Sequence, residues 1–240
     1  MNPPNELSFC PVLAEMVGTQ RAVGRSGRVY QGLTALSTLN NLLCLRQLIL
    51  ELKPANTLEI GLSFGGSCLV FASGHRDLGR AESHQHAALD PFQATVWEDC
   101  GLMAVERAGL SGYLDFRPAY SSLVLPRLVS EGRRYDLVYV DGSHLFEDVF
   151  VDAYFVSRLL SEGGVVAFDD SSNRHVAKVL RFIRANLSQQ LPELDLAPYR
   201  GDRGRSLRYR AARWLGKSQL SAFRRVGAID RPWDSPFRPF

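Results

Sequence analysis

Cysteine is scarce and scattered in this 240-residue chain: Cys10, Cys44, Cys68 and Cys100 stand far apart and form no C-x-x-C pair. That spacing excludes a disulfide-stapled scaffold and a cysteine-ligated zinc motif, and four reduced thiols are expected. Long apolar runs are missing too. The most apolar stretch, Leu42 to Leu52, is broken by Arg46, Gln47 and Glu51, and no charged-then-apolar leader pattern opens the chain. A cytoplasmic protein with no membrane span is expected. Nor is one sign of charge in clear excess, since 28 Lys and Arg against 25 Asp and Glu leave +3. The balance is uneven along the chain: residues 200–240 carry 11 basic residues against 3 acids, the remainder 17 against 22. These arginines are interleaved with Tyr209, Trp214, Leu220 and Phe223, which reads as a folded edge more than as a basic block for nucleic acid. No internal repeat or low-complexity tract is present.

What the chain does have is 45% hydrophobic content and an α/β rhythm, enough for one substantial core. Residues 1–35 hold Pro3, Pro4 and Pro11 with no steady periodicity, and read as an irregular arm with at most one short helix. Leu39, Leu42, Leu45, Ile49 and Leu52 then mark an amphipathic helix stopped by Pro54. Strands are expected at Thr57–Ile60, up to Asp90, at Tyr113–Arg117, at Tyr135–Asp141 and at Val165–Phe168, with helices between them; Gly163-Gly164 reads as the end of one such helix. Leu194–Pro198 and Gln219–Val226 are weaker candidates for two more strands. The expected fold is a Rossmann-like, doubly wound, mostly parallel seven-stranded α/β sheet with helices on both faces and an antiparallel last strand. Its domain would span residues 36–226, leaving residues 227–240 as a tail.

The segment Thr57-Leu-Glu-Ile-Gly-Leu-Ser-Phe-Gly-Gly-Ser67 stands out, because a strand runs into an acid, spaced glycines and a serine. Gly61 permits close backbone approach to a ligand, and Gly65 and Gly66 let the next helix start nearby. The spacing E-x-G-x-x-x-G-x-S, with Ser63 between the glycines, is not the G-x-G-x-x-G dinucleotide fingerprint. It reads as a nucleoside-cofactor loop, and a nicotinamide dehydrogenase is disfavoured. In open α/β sheets ligands sit beyond the carboxyl ends of the strands, and polar residues gather at those ends here. Asp90, 29 residues after Gly61, could accept ribose hydroxyls or simply shape the turn before Pro91. Adjacent parallel strands lie about 4.8 Å apart, so Asp141, Asp169 and Asp170 could converge. Such acids either raise one another's pKa or are neutralised by a hard cation; separate solvated carboxylates are the plainer alternative. His144, three residues past Asp141, is a loop imidazole able to take a proton near neutral pH. His75, His84, His86 and His175 have no mutual metal-ligand spacing and no role is assigned to them.

Three segments, Leu58–Ser67, Leu89–Gln93 and Tyr135–His144 with Gly163–Asp170, resemble those of class I S-adenosylmethionine-dependent methyltransferases, specifically small-molecule O-methyltransferases of the catechol, caffeoyl-CoA and macrocin or cephalosporin-pathway groups. The resemblance covers roughly residues 36–187. It implies that Glu59, Gly61, Ser63, Gly65 and Ser67 surround the methionine end of S-adenosylmethionine, that Asp90 holds the ribose, and that Asp141 and Ser121 adjoin the cofactor. It also implies a Mg²⁺ site at Asp141, Asp169 and Asp170. Where catechol-like enzymes often place a lysine general base, this chain has His144. The loop Pro118-Ala-Tyr-Ser-Ser122 departs from the family's usual adenine-contact residues, and the basic C-terminal part matches no substrate insertion.

The expected activity is metal-assisted methylation of a hydroxyl on a small-molecule acceptor, a sugar, polyketide or phenol, with His144 or Asp141 as base. Methylation of RNA or another anionic substrate through Arg203, Arg205, Arg208 and Arg210 is the rival enzyme reading, and a noncatalytic cofactor-binding protein the rival from another class. Homo-oligomerisation is left open.

Overall fold

The computed structural model describes residues 5–83, 85–207, 209, 211, 215 and 217–240. His84, Arg208, Arg210 and Trp214, which entered the sequence reading, lie outside the described residues. Seven strands make one mixed sheet in the order β5 (Leu114–Arg117), β4 (His86–Leu89), β3 (Thr57–Ile60), β6 (Tyr135–Val140), β7 (Leu160–Phe168), β9 (Ser221–Arg224) and β8 (Glu193–Leu194), so the α/β expectation holds. By contacts the chain divides into two compact units, Met1–Tyr120 and Ser121–Phe240.

In the first unit, helix α1 (Pro11–Thr19) precedes a small antiparallel hairpin of β1 (Arg21–Val23) and β2 (Val29–Gln31). The arm is therefore more ordered than its sequence suggests, because three-residue strands are too short to show alternation. Long-range contacts fix the hairpin: Arg25 pairs with Asp99 at 2.8 Å, Arg28 lies 3.7 Å from Glu98, and Tyr30 meets Phe64 edge-on. Helix α2 (Leu39–Leu52) starts where Thr38 Oγ1 accepts from the Asn41 N–H, buries Leu42, Leu45, Leu48 and Ile49, and ends at Lys53 in the left-handed region. Pro54 then bars continuation. Strands β3 (Thr57–Ile60), β4 (His86–Leu89) and β5 (Leu114–Arg117) are parallel, with α3 (Gly66–Asp77) and α4 (Cys100–Arg107) between them. Helix α4 starts only at Cys100, since Glu98 and Asp99 take φ of 46° and 57° and are held by the hairpin's arginines.

The second unit contains α5 (Ser121–Ser130), β6 (Tyr135–Val140), α6 (Phe146–Leu159), β7 (Leu160–Phe168), α7 (Arg174–Asn186), β8 (Glu193–Leu194), α8 (Asp202–Arg205) and β9 (Ser221–Arg224). Strand β6 runs parallel to β7, and β9 is antiparallel to both β7 and β8. One expectation is corrected here. Gly163-Gly164 lies inside β7 and does not end helix α6. Tyr135 pairs with Leu160 but Leu137 with Val165, and the bulge between them needs Gly163 at φ 77°. A Cβ on Gly164 would sit 2.9 Å from the Ser161 carbonyl. The C-terminal residues pack on α7, where Asn186 Oδ1 accepts from the Arg238 N–H at 2.9 Å and Phe182 meets Phe240 edge-on. No helix among the described residues is long and apolar enough to cross a membrane.

Candidate active site

The glycine-bearing loop after β3 is held from below by Asp90. Its carboxylate accepts from the backbone N–H of Leu62 at 3.2 Å, Ser63 at 2.8 Å and Phe92 at 2.7 Å, and from Gln93 Nε2 at 3.0 Å. Three of these donors share Oδ2 and one meets Oδ1, which keeps room for a further donor. Asp90 thus anchors the loop, a use of the acid additional to the ribose contact that the resemblance implies. Gln93 adds a second tie, donating also to the Ser63 carbonyl at 2.7 Å. Ser63 sits at φ 46°, its hydroxyl donating to the Ala35 carbonyl at 3.2 Å, and Gly61 at φ 94° donates its N–H to the Leu89 carbonyl. Gly65, at φ 83°, approaches α4 so closely that a Cβ would lie 2.9 Å from the Gly101 Cα. Gly65→Ala is therefore expected to cost about 1–3 kcal/mol from the backbone conformation alone, and to displace the loop from Gly101. A lowered melting temperature together with weakened donor binding would show both effects; an unchanged melting temperature would refute this account.

Beneath the loop lies a buried polar chain. Ser67 donates to Glu59 Oε2 at 2.7 Å, and Glu59 Oε1 stands 3.2 Å from His86 Nε2, both side chains fully buried. His86 Nδ1 is 2.9 Å from Thr57 Oγ1, which is 2.8 Å from His75 Nε2. Thr57 has one hydroxyl hydrogen, so it donates to one ring and accepts from the other. If it donates to His86 Nδ1, then His86 is neutral with its remaining hydrogen on Nε2, facing Glu59. Sequence spacing gave no hint of this pair of histidines. The signal was in the register, which sets Thr57 directly beside His86 on neighbouring strands, and in the α3 position of His75. Glu59 is thus enclosed, with Ser67 and His86 against its two oxygens. Cys68 also lies near Glu59 and His86, but burial and Glu59 raise its thiol pKa well above the usual value, and Phe71 stacks on the His86 ring. A protonated thiol is a poor metal ligand, so the trio reads as packed core.

The second unit carries an open cluster. Val140 on β6 registers with Phe168 on β7, so Asp141 and Asp169 leave the two strand ends side by side. Asp141, His144 and Asp170 bring one ligand atom each within 4.8 Å of one another. His144 Nε2 lies 2.9 Å from Asp170 Oδ2, and Asp170 holds φ 45°. The hydrogen bond to Asp170 raises the His144 pKa, and His144 in turn lowers that of Asp170. Both side chains are nearly half exposed, so the pair adds little to stability. Asp169 is buried, accepts from the Tyr139 hydroxyl, takes the Asp170 N–H on its Oδ1 at 2.8 Å, and adds to the rise in the His144 pKa through its charge. The trio brought together is thus Asp141, His144 and Asp170, with Asp169 bracing it. Two carboxylates and an imidazole suit a divalent cation that keeps several waters. Ser121, expected beside the cofactor, opens α5, where its hydroxyl lowers the pKa of buried Asp152 on α6 against the larger effect of burial. His175 Nδ1 accepts from the Phe146 N–H at 3.1 Å, at the start of α6.

Residues 58–171 match a family model described as a methyltransferase domain. Rhamnosyl O-methyltransferase of Mycobacterium bovis is 24% identical over 148 residues, covering 60% of this chain and 56% of the relative. Caffeoyl-CoA O-methyltransferase 1 of Eucalyptus globulus is 25% identical over 130 residues, covering 53% of this chain and 49% of the relative. The chain thus spans about half the length of the curated relatives it matches. Among solved structures, the O-methyltransferase from Bacillus cereus in complex with SAH aligns with TM-score 0.54 at 17% identity over 67% of this chain and 75% of that one. The O-methyltransferase TomG from Streptomyces achromogenes, in complex with SAM, aligns with TM-score 0.56 at 17% identity over 67% and 74%. These structural likenesses carry the fold.

Proposed function

We propose, from a chain whose residues 58–171 match the methyltransferase-domain family model, that this protein transfers a methyl group from S-adenosylmethionine to a hydroxyl of a small-molecule acceptor. The catalytic region on this reading is residues 36–226. The observation that carries the acceptor chemistry is the cluster of Asp141, His144 and Asp170 at the ends of β6 and β7.

The donor fits the first unit's residues. Glu59 is a buried carboxylate whose Oε1 has His86 Nε2 at 3.2 Å without an aligned hydrogen bond, and among the described residues no Lys or Arg pairs with it. Fixed negative charge of this kind favours a ligand that brings its own cation, as the ammonium and sulfonium of the donor do. Ser67, held by Glu59, would meet the methionine end, while Gly61, Ser63 and Gly65 shape the backbone around it.

A divalent cation, with Mg²⁺ the one implied by the family resemblance, would be held by Asp141 and Asp170 with His144 beside them, and would supply Lewis acidity that lowers the acceptor hydroxyl's pKa. The chain's own share is positional and protic. Asp169, fixed by Tyr139, holds the backbone N–H of Asp170 and so sets the cluster's shape. His144 takes the hydroxyl proton on Nδ1, the ring nitrogen not engaged by Asp170, and Asp170 stabilises the resulting imidazolium through Nε2. The oxygen lone pair attacks the methyl carbon, the C–S bond breaks in line with it, and the pair of electrons leaves on sulfur as the neutral thioether. Alignment of the three atoms is the larger part of the acceleration.

Calorimetric titration of S-adenosylmethionine, with and without Mg²⁺ and with chelator, tests this reading. Donor binding without metal, and methyl transfer that collapses with chelator or in Asp141→Asn, are expected. Absence of donor binding under every condition would sink the whole proposal; chelator-resistant transfer would remove only the metal.

A further inference from the structure

Helix α7 carries Arg174, Lys178, Arg181 and Arg184 in thirteen residues and no acid at all. Like charges three and four residues apart destabilise a helix, so helix formation does not account for this pattern. The neighbours answer for only part of it. Lys178 is engaged by Phe240, and Arg184 is neutralised by Glu193 through contacts of 2.6 and 2.8 Å. Among the described residues, Arg174 and Arg181 have no hydrogen-bond or ion-pair partner.

Spacings of seven and three residues put Arg174, Arg181 and Arg184 on one face of α7. That face walls a cavity of about 490 Å³, completed by hydroxyl-bearing residues that include Ser171, Ser221 and Tyr209. The cavity therefore holds two uncompensated guanidinium groups beside hydroxyls and the Arg184–Glu193 pair, whose charges cancel; Glu193 is the one carboxylate among the described lining residues. Seven residues of helix span roughly 10 Å, within reach for two long side chains to close on one extended anion. Arginine's planar fork matches phosphate oxygens in pairs. Ser171, which lines the cavity, directly follows Asp170 of the Asp141–His144–Asp170 cluster.

We infer that this cavity binds a phosphate or diphosphate group, and that the group belongs to the methyl acceptor. The acceptor is then a phosphate-bearing small molecule anchored by Arg174 and Arg181 with its hydroxyl directed to the cluster. This rests on the methyltransferase reading above.

Inorganic pyrophosphate, titrated calorimetrically in metal-free buffer, is the direct probe. Wild-type protein binds it, and the double variant Arg174→Gln/Arg181→Gln binds at least tenfold more weakly, as loss of two charge-assisted contacts requires. Lys178→Gln, which removes a charge from the same helix but not from the cavity, should change binding by less than twofold. No binding by the wild type, or equal loss in Lys178→Gln, overturns the inference. The same double variant should bind S-adenosylmethionine as the wild type does, and that titration separates failure of the anion site from failure of the methyltransferase reading. Matched acceptors that differ only by a phosphate decide the anion's source. A tenfold or greater kcat/KM advantage for the phosphorylated one, abolished in the double variant, is expected, and equal turnover of the two overturns the assignment to the acceptor.

Discussion

Replacing His144 with alanine is expected to lower kcat by about 10²–10⁴-fold, the range for a positioned general base, while leaving S-adenosylmethionine affinity within about twofold. The separation follows from where the groups sit. His144 belongs to the open cluster with Asp141 and Asp170, whereas the residues proposed to meet the donor, Glu59 on β3 and Ser67 on α3, lie in the first unit. Loss of the imidazole removes the proton acceptor and the 2.9 Å contact that steadies Asp170. These roles can be told apart. His144→Gln keeps an N–H able to reach Asp170 but accepts no proton, so it should stay as impaired as alanine if the base is needed, and recover if His144 only orients Asp170. His144→Lys, the residue that catechol-like enzymes often carry at this position, should restore part of the rate. A kcat within threefold of wild type in His144→Ala would end the case for His144 as base.

The cluster shows how far the sequence reaches. The β6 and β7 strand ends were legible because Tyr135–Val140 and Val165–Phe168 are continuous apolar runs that stop at acid, and the observed register sets Asp141 beside Asp169. Which of the acids turns toward the cluster was not legible. That depends on Tyr139, whose hydroxyl claims Asp169, and a tyrosine inside an apolar run reads simply as core. The same holds in the first unit. Glu59, Gly61, Gly65 and Ser67 declared themselves by spacing, but Asp90's use as the loop's anchor depends on backbone N–H groups that no residue pattern encodes. The hairpin was hidden by its brevity, and the Gly163-Gly164 bulge by glycine's equal fitness for a helix end and a kinked strand.

The second large effect concerns Asp152, and it is read in stability. This α6 carboxyl is 1% exposed, and its Oδ1 has no hydrogen-bond partner. Burial pushes its pKa from 3.8 up to about 7, with the Ser121 hydroxyl opposing and Asp148 adding to the rise. In the unfolded chain the group titrates near 4. Between these values the native state holds a proton that the unfolded state has released, so stability falls as pH rises from about 4 to 7 and levels off above. At about 1.4 kcal/mol per pH unit, this window is worth on the order of 4 kcal/mol at most. Asp152→Asn, which keeps an acceptor for Ser121 but cannot ionise, should be more stable than wild type at pH 8, and the two should converge toward pH 4.5. Ser121→Ala acts in the opposite direction. Removing the hydroxyl that favours the carboxylate lifts the Asp152 pKa further, so its stability keeps falling above pH 7 where the wild type has levelled off. Chemical denaturation at half-unit pH steps resolves all three profiles. Parallel curves for wild type and Asp152→Asn would show that Asp152 is already ionised in the native protein, and that its environment is more polar than the absence of a partner for Oδ1 implies.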